Sequence, residues 1–155
     1  MNRMLTEFYK AFQEKNAEKM ISFYHEEVEF SDPAFGTLKA NEAKAMWKML
    51  CQNAKDFQLE YHVLEENTEN GKAKWEANYI FSKTGRKVHN KISAEFWFKD
   101  GKIIKHIDDF NLHDWAKQAM GFKGFLLGGT SFFRKKLQQS TRKLLENYMQ
   151  KNKIF

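Results

Sequence analysis

The sequence predicts an α+β fold in which three N-terminal helices pack on a curved, mainly antiparallel sheet, with a further helix at the C-terminus. Segments with helical and strand periodicity follow one another in the order helix, helix, strand, helix and four strands. Short turn sequences join those four strands, so we expect them to pair as an antiparallel meander. With 42% hydrophobic and 15% aromatic residues, the 155-residue chain can bury one sizeable core.

The predicted N-terminal helices are defined by spacing and by capping residues. Apolar residues recur at three- and four-residue intervals in the first helix, at Leu5, Phe8, Tyr9 and Phe12. Asn16 is expected to cap a short second helix, and Asn41 a third helix that ends near residue 53. The buried side of the third helix is expected to consist of Ala45, Met46, Trp47 and Leu50.

The predicted strands surround a space that the helices cover on one side. The stretch "EVEFSDPAFG" predicts a brief strand that ends at Asp32, because Pro33 cannot donate a hydrogen bond to a sheet. Four further strands are expected at residues 57–65, 72–82, 87–99 and 102–110. Helices on one face of a curved sheet leave a pocket between the two layers.

The positive charge of the chain is concentrated at its C-terminus. The net charge is +6, and residues 121–155 carry eight basic side chains against the single acid Glu146. We therefore divide the chain into residues 1–120, an α+β domain, and residues 121–155, a glycine-rich apolar link and a basic amphipathic helix. An argument for nucleic-acid binding from the overall charge would mislead, and we rank nucleic acid last among the partners.

The basic helix has two interpretations. Its apolar residues are expected on one side, at Phe133, Leu137, Leu144 and Tyr148. In one interpretation this side enters an anionic membrane surface while four basic residues meet the lipid headgroups: Lys135, Lys136, Arg142 and Lys143. In the other, the preceding link packs across the open end of the domain or against another subunit, and the basic side faces water.

The stretch "KHIDDFNLHDW" at residues 105–115 crowds carboxylates and histidines at a strand end. Strand alternation places His106 and Asp108 on one face and Asp109 on the other. The pair is either an acid–base site or a structural couple in which the carboxylate steadies the imidazole. Asp32 is a third candidate, either as a base or as the residue that holds the Pro33 turn.

Aromatic residues are expected to shape the pocket. We predict that six residues line it: Phe8, Trp47, Trp75, Tyr79, Asn90 and Ala94. Apolar walls with a few polar groups are typical of small-molecule sites. The alternative is that the aromatic residues simply fill the core.

The order of elements, the "FSDPAFG" strand end and the stretch "DGKIIKHIDDFNLHDWAKQAMG" resemble the SnoaL-like branch of the nuclear transport factor 2-like superfamily, whose fold is an α+β cone. The resemblance covers roughly residues 1–121. It implies that Asp32 corresponds to the general base of ketosteroid isomerases, but Phe8 and Ala94 stand where their oxyanion donors are expected. It also implies that Asp108 corresponds to the last-strand Asp of limonene-type epoxide hydrolases and of SnoaL-type cyclases. The hydrolase partners are replaced by Trp75 and Ala77.

The sequence therefore predicts a protein that binds a small apolar or aromatic molecule, with no cofactor and no metal. If it is an enzyme, we expect Asp108 to be the general base, assisted by His106, in an isomerase, cyclase or hydrolase reaction. The rival prediction is a ligand carrier or interaction module. The resemblance implies a homodimer formed across the exposed face of the sheet. The single Cys51, and the lack of an apolar signal core, predict a cytoplasmic location.

Overall fold

The computed structural model describes residues 3–154 and confirms the α+β architecture. Its elements, in chain order, are α1 (Met4–Gln13), α2 (Ala17–Ser22), β1 (Tyr24–Asp32), β2 (Gly36–Lys39), α3 (Asn41–Asn53), β3 (Gln58–Glu66), β4 (Asn70–Phe81), β5 (Arg86–Lys99), β6 (Lys102–Asp109), α4 (Leu112–Met120), α5 (Phe122–Leu127) and α6 (Ser131–Lys151). The ends of the predicted two-part division, residues 1 and 155, lie outside the described residues.

The six strands form one mixed sheet in the order β2, β1, β6, β5, β4, β3. The last four strands form the predicted antiparallel meander. The strand β1 is different, because it runs parallel to β6 and places Phe30 beside His106. This pairing brings the end of β1, and with it Asp32, to the same end of the sheet as Asp108.

The sequence predicted one strand around residue 30, whereas the structure has the hairpin β1–β2 there. Asp32 makes the turn, because its Oδ1 accepts hydrogen bonds from the backbone N–H groups of Ala34, at 2.9 Å, and Phe35, at 2.6 Å. Gly36 then adopts a φ of +73°, which favours glycine. The interpretation of Asp32 as the turn residue therefore describes its geometry.

Two details of the predicted helices were wrong. Ala40, and not Asn41, is the N-cap of α3, with a φ of 50°. On the same helix Leu50 is 37% exposed and Met49 is buried in its place. Asn16 caps α2 as predicted, since its side chain accepts a hydrogen bond from the N–H of Lys19.

The concave face of the sheet and the helices α1 and α3 enclose the main core, in which the largest fully buried side chains include Phe8, Tyr9, Phe30 and Phe96. A second, smaller core around Trp115 joins α4 to the ends of β4 and β5. The helix α6 reaches both, since Leu145 is buried in the main core and Phe133 packs against the second. The predicted inner position Leu144 is 48% exposed, and Leu145 lies inside instead.

Candidate functional site

A chain of hydrogen bonds crosses the buried interior and is built from four elements. The indole Nε1 of Trp47 on α3 donates to the hydroxyl of Tyr24 on β1 at 2.7 Å. That hydroxyl lies 2.8 Å from Nδ1 of His106 on β6, and Nε2 of His106 lies 2.8 Å from Oδ1 of Asp108. The indole Nε1 of Trp75 on β4 also donates to Oδ1 of Asp108, at 3.4 Å. We call these five residues the buried relay.

The relay has one proton arrangement that satisfies every donor in it. Asp108 as a carboxylate only accepts, so Nε2 of His106 carries a proton and donates it. The hydroxyl of Tyr24 already accepts from Trp47, so it donates its own proton to Nδ1 of His106. In this arrangement Nε2 of His106 donates to Asp108 and Nδ1 accepts from Tyr24, so each donor of the relay has an acceptor.

Strand register explains how Trp75 reaches Asp108. Asp108 stands opposite Ala94 on β5, and Ala94 stands opposite Ala73 on β4. The two small side chains leave room above them, which the indole of Trp75 enters from two residues further along β4. Ala94, predicted as a pocket residue, thus forms part of the floor beneath the relay.

The ring of His106 is enclosed on all sides by aromatic rings. It stacks on Phe96 with centroids 4.1 Å apart and on Trp47 at 6.0 Å, and it meets Phe30 and Phe8 edge-on. The imidazole is 0% exposed. With both ring nitrogens occupied and no exposed surface, His106 positions Asp108 and has no free atom for a ligand.

Asp108 influences the Asp32 carboxyl at the same end of the sheet. The pKa of Asp32 is raised from its ordinary value of 3.8 to about 7, mainly by burial and also by the negative charge of Asp108, while the N–H groups of Phe35 and Ala34 oppose the rise. Burial is the main cause of the raised pKa of the Tyr79 phenol. The Trp115 indole, which donates to the Tyr79 hydroxyl at 2.8 Å, lowers this pKa, and the charge of Asp32 adds to the rise.

Tyr9 on α1 supplies the most unusual group of the site. Its hydroxyl is buried and is the one buried side-chain polar atom without a hydrogen-bond partner in residues 3–154. Burial raises the pKa of this phenol well above its ordinary value, and the charge of Asp108 adds to the rise. A buried hydroxyl without a partner is costly, so this group marks a place where a polar atom would be stabilised.

The helix α6 covers the end of the cone at which Asp32 lies. Nε2 of Gln138 donates to the backbone carbonyl of Pro33 at 3.1 Å, and the hydroxyl of Thr141 donates to the backbone carbonyl of Ala34 at 2.8 Å. Arg142 donates to the carbonyl of Thr37 at 2.8 Å and lies 3.3 Å from the carboxylate of Glu42. One of the four basic residues assigned to a membrane or partner thus docks the helix onto its own chain.

Two of the six predicted pocket residues are packed within the aromatic core. Phe8 and Trp47 are buried against other aromatic rings. Two surface cavities of about 450 and 260 Å³ lie elsewhere, and of the predicted site residues Trp75 alone lines either of them. Asn90 stands opposite Ala77 on the neighbouring strand and lines neither cavity. That these six residues line a pocket stays a prediction.

Comparison with known families gives a clear assignment. The model of the SnoaL-like domain matches residues 5–106, which is more than half of the chain. The chain belongs to the SnoaL-like domain family. None of the curated proteins matches the sequence significantly. The matched segment ends at His106, so Asp108 and α4 to α6 lie beyond it.

Solved structures share the SnoaL-like fold at low sequence identity. A candidate polyketide cyclase from Xanthomonas campestris superposes with a TM-score of 0.64 at 19% identity, covering 74% of this chain and 93% of that one. An LEH-like epoxide hydrolase from M. tuberculosis gives 0.59 at 16% identity, covering 81% and 89%. A candidate isomerase from Rhodopseudomonas palustris gives 0.63 at 13% identity, covering 78% and 98%. These identities show a common fold.

Two absences concern residues 3–154. No helix in this range is long and apolar enough to cross a bilayer. Nor does any group of three Asp, Glu, His or Cys side chains within it form a cluster that could hold a metal ion.

The sequence missed Tyr9 and Tyr24 as members of the site. Both sit at positions that the apolar periodicity of their segments assigned to the core, and nothing in that pattern distinguishes a phenol from a phenylalanine. Asp32, His106 and Asp108 do come together at one end of the cone, as their strand positions allow. Of these three, Asp32 is the least buried, whereas Asp108 is 4% exposed.

Proposed function

We propose that this SnoaL-like protein binds a small carbonyl-containing molecule at the end of the cone and exchanges a proton with it through Asp32. The observation that carries the proposal is that the charge of Asp108 acts both on the Asp32 carboxyl and on the unpartnered hydroxyl of Tyr9. Acid–base sites place titratable groups whose pKa values differ because their surroundings differ.

Asp32 is suited to proton transfer at neutral pH. A catalytic acid or base works best when its pKa is near the working pH, and the pKa of Asp32 is about 7. The negative charge of Asp108, which His106 and Trp75 hold in place, helps to raise the pKa of Asp32. In this proposal Asp108 and His106 are positioning residues, and the base assigned to Asp108 from the sequence moves to Asp32.

Tyr9 supplies a hydrogen-bond donor. Phe8 and Ala94, which stand where the family resemblance places the oxyanion donors, have no side-chain donor. When a base removes a proton from the carbon beside a carbonyl, negative charge develops on the carbonyl oxygen. The hydroxyl of Tyr9 would donate to that oxygen while Asp32 takes the proton. The ligand would reach this place by displacing the side chains of α6 that cover the Asp32 turn.

Hydrogen–deuterium exchange tests this function without knowledge of the natural substrate. A panel of cyclic ketones and β-dicarbonyl compounds is incubated in D₂O with the protein, and loss of the α-proton signal is followed by NMR. We expect exchange above the buffer rate that is lost in Asp32→Asn and retained in Asp109→Asn, which changes an exposed neighbouring carboxyl. No exchange with any compound, or equal exchange in Asp32→Asn, would reject the acid–base proposal.

A second function, ligand binding without turnover, is supported by His106, whose two ring nitrogens are both occupied within the core. A carrier needs the cone to open for a ligand but needs no base. The two functions separate in one experiment, because a carrier would show ligand-induced changes in Trp75 and Trp47 fluorescence while causing no α-proton exchange in any variant.

We also propose that the protein is a cytoplasmic homodimer formed across the exposed face of the sheet. That face carries both signs of charge, with Glu60 and Glu76 near Lys74 and Lys91, and all four surround the 260 Å³ cavity. Mixed charges allow two copies to meet through the same patch. Sedimentation-velocity measurements on wild type and Glu76→Lys test it, since the variant should dissociate; a monomeric wild type would contradict the dimer.

A further inference from the structure

A compact group of apolar side chains is exposed where α5 meets α6. These residues, which we call the α5 patch, are Phe122 (75% exposed), Phe125 (54%), Leu126 (58%), Leu127 (44%) and Phe132 (63%). The rings of Phe122 and Phe125 stack with centroids 6.4 Å apart. Contiguous apolar surface of this kind marks interaction sites on proteins, whereas single exposed apolar residues do not.

Glycines turn the apolar face of α5 outward. Gly124 and Gly128 lie against α4, where a Cβ at position 124 would overlap the backbone carbonyl of Ala116. The ring of His113 fixes the contact, since its Nε2 lies 2.8 Å from the carbonyl of Phe125. A surface helix usually buries its large apolar residues. Here the glycine face is buried and Phe122 and Leu126 stand on the opposite side of the helix.

The surroundings of the α5 patch are strongly basic. Residues 115–145 contain seven Lys and Arg and no Asp or Glu. The closest of these in the chain, Lys123, Arg134, Lys135 and Lys136, are all exposed, and Nζ of Lys136 lies 5.8 Å from the ring centroid of Phe132. Arg142 is turned toward Glu42, so the basic residues that accompany the patch are those at the start of α6.

This charge decides between the possible occupants. A second copy meeting the same patch would bring two strongly positive segments together, which is unfavourable. A nucleic acid would use the basic residues but has no use for Leu126 and Leu127. An anionic bilayer matches both features, because apolar side chains enter its interface while Lys and Arg meet its phosphates.

We propose that the α5 patch is a membrane-docking surface, in which Phe122, Phe125 and Leu126 enter the interface of an anionic bilayer and Lys123, Lys135 and Lys136 contact its headgroups. Of the two basic pairs that the sequence assigned to this role, Lys135 and Lys136 accompany the patch, whereas Arg142 holds α6 on the fold. The proposal does not depend on the acid–base function.

Co-sedimentation of the full-length protein with vesicles tests the proposal. We expect binding to phosphatidylcholine vesicles containing phosphatidylglycerol and little binding to phosphatidylcholine alone. The double variant Phe125→Ser/Leu126→Ser should bind at least about tenfold more weakly, because it removes two inserted apolar groups. The control Leu64→Ser removes an apolar residue that is 56% exposed on β3 and should bind as wild type does.

A second pair of variants separates local from overall charge. Lys135→Gln/Lys136→Gln should weaken binding about thirty-fold at low salt. Lys72→Gln/Lys87→Gln, which removes the same charge from exposed strand positions, should change binding less than about threefold. Equal losses of vesicle binding in the two double variants would overturn the proposal. So would the absence of binding to either vesicle, or a patch variant that alters only the oligomeric state.

Discussion

The imidazole Nε2 of His106 lies 2.8 Å from Oδ1 of Asp108, and both side chains are buried in the cone. The other ring nitrogen is taken by Tyr24, so the imidazole orients the carboxylate and has no further bond to offer. Asp108 is thereby held as a fixed negative charge close enough to Asp32 to raise its pKa. The chemistry that we propose depends on this charge.

Asp32→Asn should stabilise the protein at high pH and abolish proton exchange. The raised pKa means that the folded state holds the Asp32 proton more tightly, so wild-type stability falls as pH rises from 3.8 to about 7 and levels off above that. Asn keeps the acceptor for the Ala34 and Phe35 N–H groups without the charge. We expect urea unfolding to show a gain of about 1–3 kcal/mol at pH 8 and almost none at pH 4. A gain of equal size at both pH values would contradict this origin.

Tyr9→Phe should stabilise the fold while impairing ligand binding. Removing a buried hydroxyl without a partner is expected to gain about 1 kcal/mol. The same change removes the donor for the ligand's carbonyl oxygen, so α-proton exchange should fall. Urea unfolding and the exchange assay measure the two effects. Tyr61→Phe, on the neighbouring ring that stacks on Tyr9 at 5.4 Å, is the control and should leave exchange unchanged.

Asp108→Ala should destabilise the protein more than Asp108→Asn. Alanine leaves the N–H groups of His106 and Trp75 buried without an acceptor, at a cost of about 2–4 kcal/mol. Asn retains a carbonyl oxygen at that position and should cost about 1 kcal/mol. Chemical unfolding at pH 7 measures both. Equal stabilities of the two variants would mean that the relay contributes nothing to the fold.

Gly124→Ala should separate α5 from α4. A methyl group at this position meets the Ala116 carbonyl, and the resulting displacement is expected to cost about 2 kcal/mol despite the higher helix propensity of alanine. Because Trp115 belongs to α4 and packs in the second core, its fluorescence should shift to longer wavelength. Lys123→Ala, at the adjacent exposed position, is the control. If Gly124→Ala behaves as this control does, the close α4–α5 contact is absent.

The meander and the first helices could be predicted from the sequence because local patterns determine them. Alternation defines β3 to β6, and the Asp100-Gly101 turn defines their last hairpin. The strand β2 could not be predicted, because its four residues form no pattern of their own and exist through pairing with β1. The parallel pairing of β1 with β6 is likewise a long-range contact.

The site was predictable only in part. The alternation of side chains along β6 placed His106 and Asp108 on the same face of the sheet. This alternation does not predict which residues of other elements pack against that face. Tyr24 and Trp47 reach His106 from other elements, and these contacts depend on how α3 crosses β1. The sequence also cannot distinguish aromatic residues that line a pocket from those that fill a core, since both have the same sequence pattern.

Titration of the Asp32 carboxyl carbon by ¹³C NMR, in wild type and in Asp108→Asn, tests directly whether Asp108 raises the pKa of Asp32. We expect an apparent pKa of about 7 in wild type and a lower value in Asp108→Asn, because the variant removes the neighbouring negative charge. An Asp32 pKa near its ordinary value of 3.8 in wild type, or the same pKa in both proteins, would contradict a coupled carboxyl pair poised for proton transfer at neutral pH.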